Sequence, residues 1–438
     1  DSFITKFFDR ELGEPYLTIE VDAHSADVGA ITRCEAFIDS FPNITGGRTR
    51  VSRGEDLHFN VHSSDKPVKL YIPHMCDHGR VMAASFRAGG VDAEAMPMSD
   101  SRSVELGRKF TTGKECYPCI LTTGDIVKVT EREDFEPDRA AMFMAHANGP
   151  CRFGQYHKFH RMVLDELGYG QVPLVLLDQT DDFARHVGSF GKGFYRTAWN
   201  SLLAVDGMQK MMYERRPYEL NEGETDRVYE QCMQELEHAA EHGGDIVEVA
   251  RRARQRLEAV PTDSSERGPV IGIVGEIYVR SNEFSNNFVI RKLEKLGVQV
   301  VIPPLQEWVA YCNHERRREL LSARSWWPFA REWLAQWFAD RDQARMEQVF
   351  DGAIHHMPTE AATKDVLEAG SQYLDPMVRG EAVLSMGRAA EYAEHGLHGV
   401  LNLIPFGCMP GAVVNGLLEA FRRDHPGMPI LKLSFDGI

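Results

Sequence analysis

What most constrains this chain is a repeating unit: a short run of continuous apolar residues, a turn, and then a helical pattern. Residues 69–73, 93–96, 140–144 and 173–178 form one series of such runs, and residues 270–275, 298–302, 399–404 and 430–435 form a second. Runs that are apolar throughout, rather than at every other position, belong to strands buried on both faces, as in a parallel sheet. Helical patterns such as residues 287–296 separate the runs and supply the right-handed crossovers that parallel strands need. The expectation is α/β, in two layered units. At 438 residues the chain is also too long for a single hydrophobic core.

Four segments follow. Residues 1–60 read as a strand–helix segment packing on the second α/β domain, and 61–184 as the first α/β domain. Residues 185–265 carry no strand signal and read as helical, with helices over 197–206 and 226–257. Residues 266–438 read as the second α/β domain, with a helical insertion at about 305–350. That insertion holds Trp308, Trp326, Trp327, Trp333 and Trp337, five of the six tryptophans. Such a stripe is expected to be core, with a partner or ligand surface as the alternative. Pro15-Tyr-Leu-Thr-Ile-Glu-Val-Asp22 echoes Pro429-Ile-Leu-Lys-Leu-Ser-Phe-Asp436, so both are expected to be a strand entering a turn. The chain stops just after the second copy and opens without Met, and it reads as cut or as a piece of a longer one.

The net charge of −16 repels phosphate backbones and argues against nucleic acid, while leaving room for an anionic coenzyme in a local basic pocket. No stretch approaches a membrane span, and the start has neither the basic nor the apolar region of a signal peptide. The expected location is cytoplasmic. There the eight cysteines are better explained by metal binding or burial than by disulfides. Cys34 and Cys232 fall in helical stretches and Cys312 in no motif, so all three read as structural.

Gly113-Lys-Glu-Cys116-Tyr-Pro-Cys119 places a Cys-x-x-Cys on a loop or helix start. There is no second close pair for a structural zinc site, and the context of a thioredoxin is lacking. Cys151 follows the 140–144 run through Gly149-Pro, and Cys408 follows the 399–404 run through Pro405-Phe-Gly407. Both stand where an α/β sheet places its ligands, beyond a strand's carboxyl end. Gly149 and Gly407 let the backbone approach a bulky group, and soft thiolates from separate loops suit an iron–sulfur cluster. Buried or incidental thiols are the alternative. His74-x-Cys76-x-His78 has the residue types of a small zinc site, against a plain loop after the first strand. Glu276 could orient a substrate or cap a helix. Gly188-x-x-Gly-Lys192 lacks the spacing and the Ser or Thr of a phosphate loop, so no ATP site is expected. Arg216-Pro-Tyr-Glu219 reads as a helix terminus.

Four segments in one order carry a resemblance. Glu105-Leu-Gly-Arg-Lys with Gly113-Lys-Glu-Cys-Tyr-Pro-Cys, Asn148-Gly-Pro-Cys-Arg-Phe-Gly-Gln155, Gly275-Glu-Ile-Tyr-Val-Arg-Ser-Asn-Glu-Phe-Ser-Asn-Asn287 and Pro405-Phe-Gly-Cys-Met-Pro410 resemble the 2-hydroxyacyl-CoA dehydratase family. They are closest to the dehydratase-like part of the large acyl-CoA dehydratase activase-related proteins. The resemblance covers nearly the whole chain. It implies two Rossmann-like parallel-sheet domains with helical insertions, and a cluster, [4Fe–4S] or of the double-cubane type, held by three or more cysteines. Cys116, Cys151 and Cys408 are the implied ligands, with Cys119 and Cys76 second in rank. It also implies an ATP-hydrolysing iron–sulfur activator, protein or domain, that injects a low-potential electron, and an acyl-CoA substrate that loses water by radical chemistry. A dimer is the candidate assembly. The extra cysteines put the open fourth iron site of the three-cysteine relatives in question. Two readings therefore stand: a reductively activated dehydratase or reductase component, and a non-catalytic electron-relay or scaffold module of a larger activase-like protein. A zinc-stabilised regulatory domain is weaker, because the cysteines are not paired.

Overall fold

A computed structural model describes residues 17, 27–40, 68–146, 149–177, 193–263 and 267–437. Within them the strands are β1 (Lys69–Ile72), β2 (Asp92–Ala95), β3 (Ala140–Ala145), β4 (Leu174–Leu177), β5 (Val270–Gly275), β6 (Gln299–Val301), β7 (Gly399–Pro405) and β8 (Ile430–Phe435). They form two four-stranded sheets, ordered β2-β1-β3-β4 and β6-β5-β7-β8. All pairings are parallel. Each expected run is a strand, each series is one sheet, and the 140–144 and 399–404 runs lie in different sheets. The chain is α/β, with two Rossmann-like parallel sheets and helical insertions.

Fourteen of the described α-helices precede β7. They are α1 (Asp27–Ser40), α2 (His78–Ala88), α3 (Ser101–Phe110), α4 (Tyr117–Thr130), α5 (Tyr156–Glu166), α6 (Phe194–Arg215), α7 (Glu224–His242), α8 (Ile246–Glu258), α9 (Ile277–Ser281), α10 (Val289–Glu294), α11 (Leu305–Ser322), α12 (Trp326–Phe350), α13 (Thr363–Ser371) and α14 (Glu381–Glu394). The last helix, α15 (Met409–Asp424), precedes β8. Leu70 and Ile72 of β1 pack with Phe86 of α2 on one face of the first sheet. Tyr71, between them, packs with Ile126 of α4 and Leu164 of α5 on the other. The second sheet is covered in the same way. Ile273 and Leu401 meet Val279 and Ile290, and Val274 and Val400 meet Met386 and Phe421. Burial on both faces is why the strands read as unbroken apolar runs.

The helical region is a core of its own, formed by α2, α6, α7, α8 and α12 around Met208, Cys232, Leu236 and Ala250. Cys232 is fully buried there and Cys312 is buried beside Val366 and Val383, so both are core thiols. Arg216, just beyond α6, holds Glu294 of α10 through two hydrogen bonds of 2.8 and 2.9 Å, which tie this region to the second sheet. The helix stops where Arg216-Pro-Tyr was expected to stop it.

The Trp-rich insertion is helical, as α11 and α12, and Trp308 packs partly buried against the cluster around Cys312, but the other four rings of the stripe are not core. Trp326, Trp327, Trp333 and Trp337 are all exposed, Trp327 by 86%. Spacing places these rings on a helix, yet no described element covers them. Of segment 1–60 the structure describes α1 and residue 17, so the Pro15–Asp22 copy of the echo and the packing expected for this segment lie outside the described residues. The second copy is β8, as expected. Lys192 and its Gly-x-x-Gly also lie outside them.

The pair α3–α4, inserted between β2 and β3, packs backbone against backbone. A Cβ on Gly107 would lie 1.9 Å from the carbonyl oxygen of Ile120, and one on Gly124 would lie 1.7 Å from that of Ser103. The carboxylate of Asp125 closes the pair, accepting from Ser99 Oγ (2.6 Å) and Ser103 Oγ (2.5 Å). Burial pushes this carboxyl up to about 6 against those two hydrogen bonds. A raised folded value means that the folded chain holds the proton more tightly than the unfolded one. Its contribution is therefore complete below the ordinary value of 3.8 and is lost as pH rises through about 6. Asp125→Asn should remove that slope. The stability difference between variant and parent, followed by urea unfolding from pH 4 to pH 7, should shift in the variant's favour by about 2 kcal/mol. A pH-independent difference would show that Asp125 does not titrate in this window.

Candidate functional site

In both sheets the strand order reverses direction beside the first strand of the series, between β1 and β3 and between β5 and β7. A parallel sheet opens a crevice at the carboxyl ends of such a pair. The loops after these four strands carry Cys76, Cys151, Glu276 and Cys408, in that order. The carboxyl ends of the two sheets face each other. Ser99 Oγ and Tyr278 Oη are 3.1 Å apart, Asn282 Nδ2 donates to the His74 carbonyl (3.1 Å), and Arg108 donates to the Asp436 carbonyl (3.0 Å). Tyr278 packs among Tyr117, Ile120 and Leu121.

Hydrogen bonds and close contacts draw three of the sequence-predicted cysteines to this junction. Arg152 Nη1 donates to the Lys114 carbonyl (2.7 Å), joining the Cys151 loop to the segment that leads into Cys116. On its other side, Pro150 lies against Gly380, the residue before Glu381. Glu381 accepts from the Ile277 amide (3.3 Å), beside Glu276, and the Glu276 amide donates to Leu403 of β7 (2.9 Å), one strand end from Cys408. Gly149 has φ +138° and Gly407 has φ +70°, which L side chains rarely adopt.

The three cysteines share a local design. Cys116 is the N-cap of α4, Cys151 that of the short 3-10 turn 152–155, and Cys408 that of α15, each with extended backbone. The Cys408 sulfur accepts from the Gly411 amide at 3.3 Å, while Cys116 and Cys151 make no such side-chain capping bond. Cysteines are poor caps, so a cysteine at three helix starts puts three soft donors where free amides gather. Cys116 stands at a helix start, as its Cys-x-x-Cys segment was expected to, and follows α3 rather than a strand.

The electrostatics tie the same groups together. Burial pushes the Cys116 thiol up to about 11, although Tyr156 hydrogen-bonds it. Cys151 is driven up by burial, then by Glu381, Glu276 and Cys116. Cys408 is driven up by burial, then by Glu381, Glu276 and Cys151. Glu381 itself is raised to about 8 by burial and by the negative charge of Glu276. Glu276 does cap α9, accepting from Tyr278 N (3.1 Å) and Val279 N (2.8 Å), and it also faces the thiols. Tyr156 is raised by burial and then by Cys116, Cys119, Cys151 and Glu276, so its ring stands among them. Arg280 is buried nearby, and its Nε makes no hydrogen bond among the described residues.

Of the second-rank residues, Cys119 stays beside Cys116 and Cys76 goes elsewhere. Cys119 is buried on the first turn of α4, raised by burial and then by Cys116 and Glu115. Cys76 is bonded to His78, whose other nitrogen faces Asp206 on α6. His74 is turned toward Asp77 and Arg80, its proton affinity lowered by burial. Among the described residues no three His, Cys, Asp or Glu side chains stand close enough to hold a single metal ion.

Tyr156 and Glu381 are functional candidates that sequence reasoning missed. Tyr156 sits one turn after Arg152 in a stretch that reads as ordinary helix. For Glu381 a faint signal existed: a helix start after Gly380, with an acidic first residue that would normally be solvated. No family model matches the chain, and no curated protein matches it significantly.

Proposed function

We propose that the chain is the iron–sulfur component of a 2-hydroxyacyl-CoA dehydratase-like or reductase system, served by an ATP-hydrolysing iron–sulfur activator and located in the cytoplasm. The observation that carries this reading is the meeting of Cys116, Cys151 and Cys408 with Glu276 and Glu381 at the facing carboxyl ends of two parallel sheets. The donor set fits a cluster. It consists of three soft thiols on three separate segments, Cys116 and Cys408 buried and Cys151 half-buried, each at a helix start. Burial first, and the nearby Glu276 carboxylate after it, hold the Cys151 and Cys408 thiols protonated, and a cationic iron core would offset that negative charge. Cys116, Cys151 and Cys408 would hold the group, releasing their protons as it binds. Once bound, a cluster supplies one-electron chemistry at low potential.

The remaining residues supply the proton chemistry. Glu381 keeps its proton near neutral pH and can give it to a leaving hydroxyl, which departs as water. Glu276, fixed by the α9 amides, holds negative charge against Glu381 and so sustains that proton affinity. Arg280, with an unpartnered Nε, is the cation placed to meet an anionic part of an acyl-CoA. Cys119 favours the second reading, an electron-relay module. It lies beside Cys116, and as a fourth ligand it would close the iron site that a substrate needs.

The partner claim is tested with chain purified under strict anaerobiosis, with and without an iron–sulfur ATPase of the activator class. Electron paramagnetic resonance should show reduction of the cluster only when activator and ATP are both present. ATP hydrolysis by the chain alone, or reduction that proceeds equally without ATP, would count against it.

A further inference from the structure

A second cluster of reactive groups lies apart from the three cysteines. Cys76 Sγ is 3.1 Å from His78 Nδ1, and His78 Nε2 is 2.9 Å from Asp206 Oδ1. Asp206 is in turn fixed by α11, accepting from the amides of Leu305 (2.9 Å) and Gln306 (3.0 Å). Thiol, imidazole and carboxylate come from three elements: the loop after β1, the first turn of α2, and the middle of α6. His78 and Asp206 are each only 6% exposed. The three groups open onto a cavity of about 470 Å³ between α6, α11 and α12, walled by Leu203, Ile302, Phe350 and Met357. One charged pair, Lys210 with Glu360 at 2.7 Å, also lines it.

This arrangement is more than a buried cysteine needs. The buried Cys232 and Cys312 belong to hydrophobic clusters, Cys232 with Arg256 beside it, and neither shows a histidine held by a carboxylate among the described residues. At Cys76 a buried histidine is hydrogen-bonded on both ring nitrogens, so one can exchange a proton with sulfur while a carboxylate holds the other. Burial works against charge on His78, but Cys76 and Asp206 outweigh it, and the imidazole is held protonated. Cys76 also stands two residues before α2, at the helix end where free amides gather.

We propose that Cys76 is a nucleophile, served by His78 and positioned through it by Asp206, that accepts the acyl group of an apolar thioester entering this cavity. The sulfur lone pair of the Cys76 thiolate forms a bond to the thioester carbonyl carbon. The carbon–sulfur bond to the departing thiol breaks and its electron pair leaves on that sulfur. The His78 imidazolium gives its Nδ1 proton to that sulfur, so the products are acyl-Cys76 and a free thiol. One thioester replaces another, so the step needs neither oxidant nor reductant. The imidazolium is matched to a thiolate leaving group, and the apolar wall is matched to an acyl chain. None of this requires a cluster at Cys116, Cys151 and Cys408.

The full-length chain is incubated with the hexanoyl thioester of N-acetylcysteamine, quenched in acid and mapped by peptide mass spectrometry. One hexanoyl group should appear on the tryptic peptide 70–80, with Cys232 and Cys312 unmodified as markers of an intact fold. His78→Gln should slow the transfer by about 100-fold, and Asp206→Asn should slow it less. Should His78→Gln fail to fold, alkylation of Cys76 in the parent chain must abolish hexanoyl uptake. Transfer spread evenly over several cysteines, unchanged rates in the folded variants, hexanoyl uptake that survives alkylation of Cys76, or no hexanoyl group on the untreated parent's Cys76 would each overturn the proposal.

Discussion

Gly124→Ala should lower stability by about 3 kcal/mol and reduce the iron held by the chain, although Gly124 touches neither thiols nor carboxylates. The added Cβ would stand 1.7 Å from the carbonyl oxygen of Ser103 and 2.5 Å from its carbon, both backbone atoms that no rotamer change can move. The two helices must part by more than an ångström. Parting them opens the contact between Gly107 and Ile120 and strains the Asp125 bonds to Ser99 and Ser103. Cys116 caps the same α4, so its sulfur moves with the helix. Gly416→Ala is the matched control. It lies on the exposed side of α15, the helix that Cys408 caps, and nothing stands within 4 Å of its added Cβ. Alanine there should raise stability by up to about 1 kcal/mol and leave iron binding unchanged. Urea unfolding and iron content of the two variants, side by side, separate the packing effect from the general effect of placing alanine in a helix. Equal behaviour of the two would mean that the α3–α4 contact is not what positions Cys116.

The α/β architecture was legible because strands buried on both faces leave unbroken apolar runs, and each such run here became a strand of the expected sheet. The sheets' facing carboxyl ends were not legible as such. They depend on contacts like Asn282 with His74 and Ser99 with Tyr278, between residues about 180 or more positions apart. Cys151 and Cys408 could be placed from the strands before them, but Cys116 could not, since a two-helix insertion carries it to the junction. Tyr156 and Glu381 escaped notice because their sequence neighbourhoods look like plain helix starts, and only burial beside thiols gives them chemistry. Asp206 was hidden in the same way, as an acidic residue in a long helix. The Trp-rich helix misled for a different reason. Aromatic content shows that rings lie on a helix, but not whether another layer covers them.

The central claim is that Cys116, Cys151 and Cys408 hold one cluster, and replacing them should have the largest chemical effect of any change in the chain. Each cysteine stands at a different helix start, and the sheet cores around Tyr71 and Val274 include none of them. Alanine at Cys151 should therefore remove colour and most of the iron while leaving the circular dichroism and unfolding of the apo-chain nearly unchanged. Cys232→Ala should do the reverse, since Cys232 packs in the helical core: iron is retained and stability falls by about 1 kcal/mol or more. Cys76→Ala should leave iron content unchanged, because its sulfur is engaged with His78. The most direct measurement is iron and acid-labile sulfide per chain, in protein reconstituted anaerobically, for the parent and for the Cys116→Ala, Cys151→Ala, Cys408→Ala triple variant. The parent should bind iron and sulfide in equal amounts, about four of each, and the folded triple variant should bind neither. Iron without sulfide in the parent, or equal iron and sulfide in the parent and the triple variant, would contradict the account.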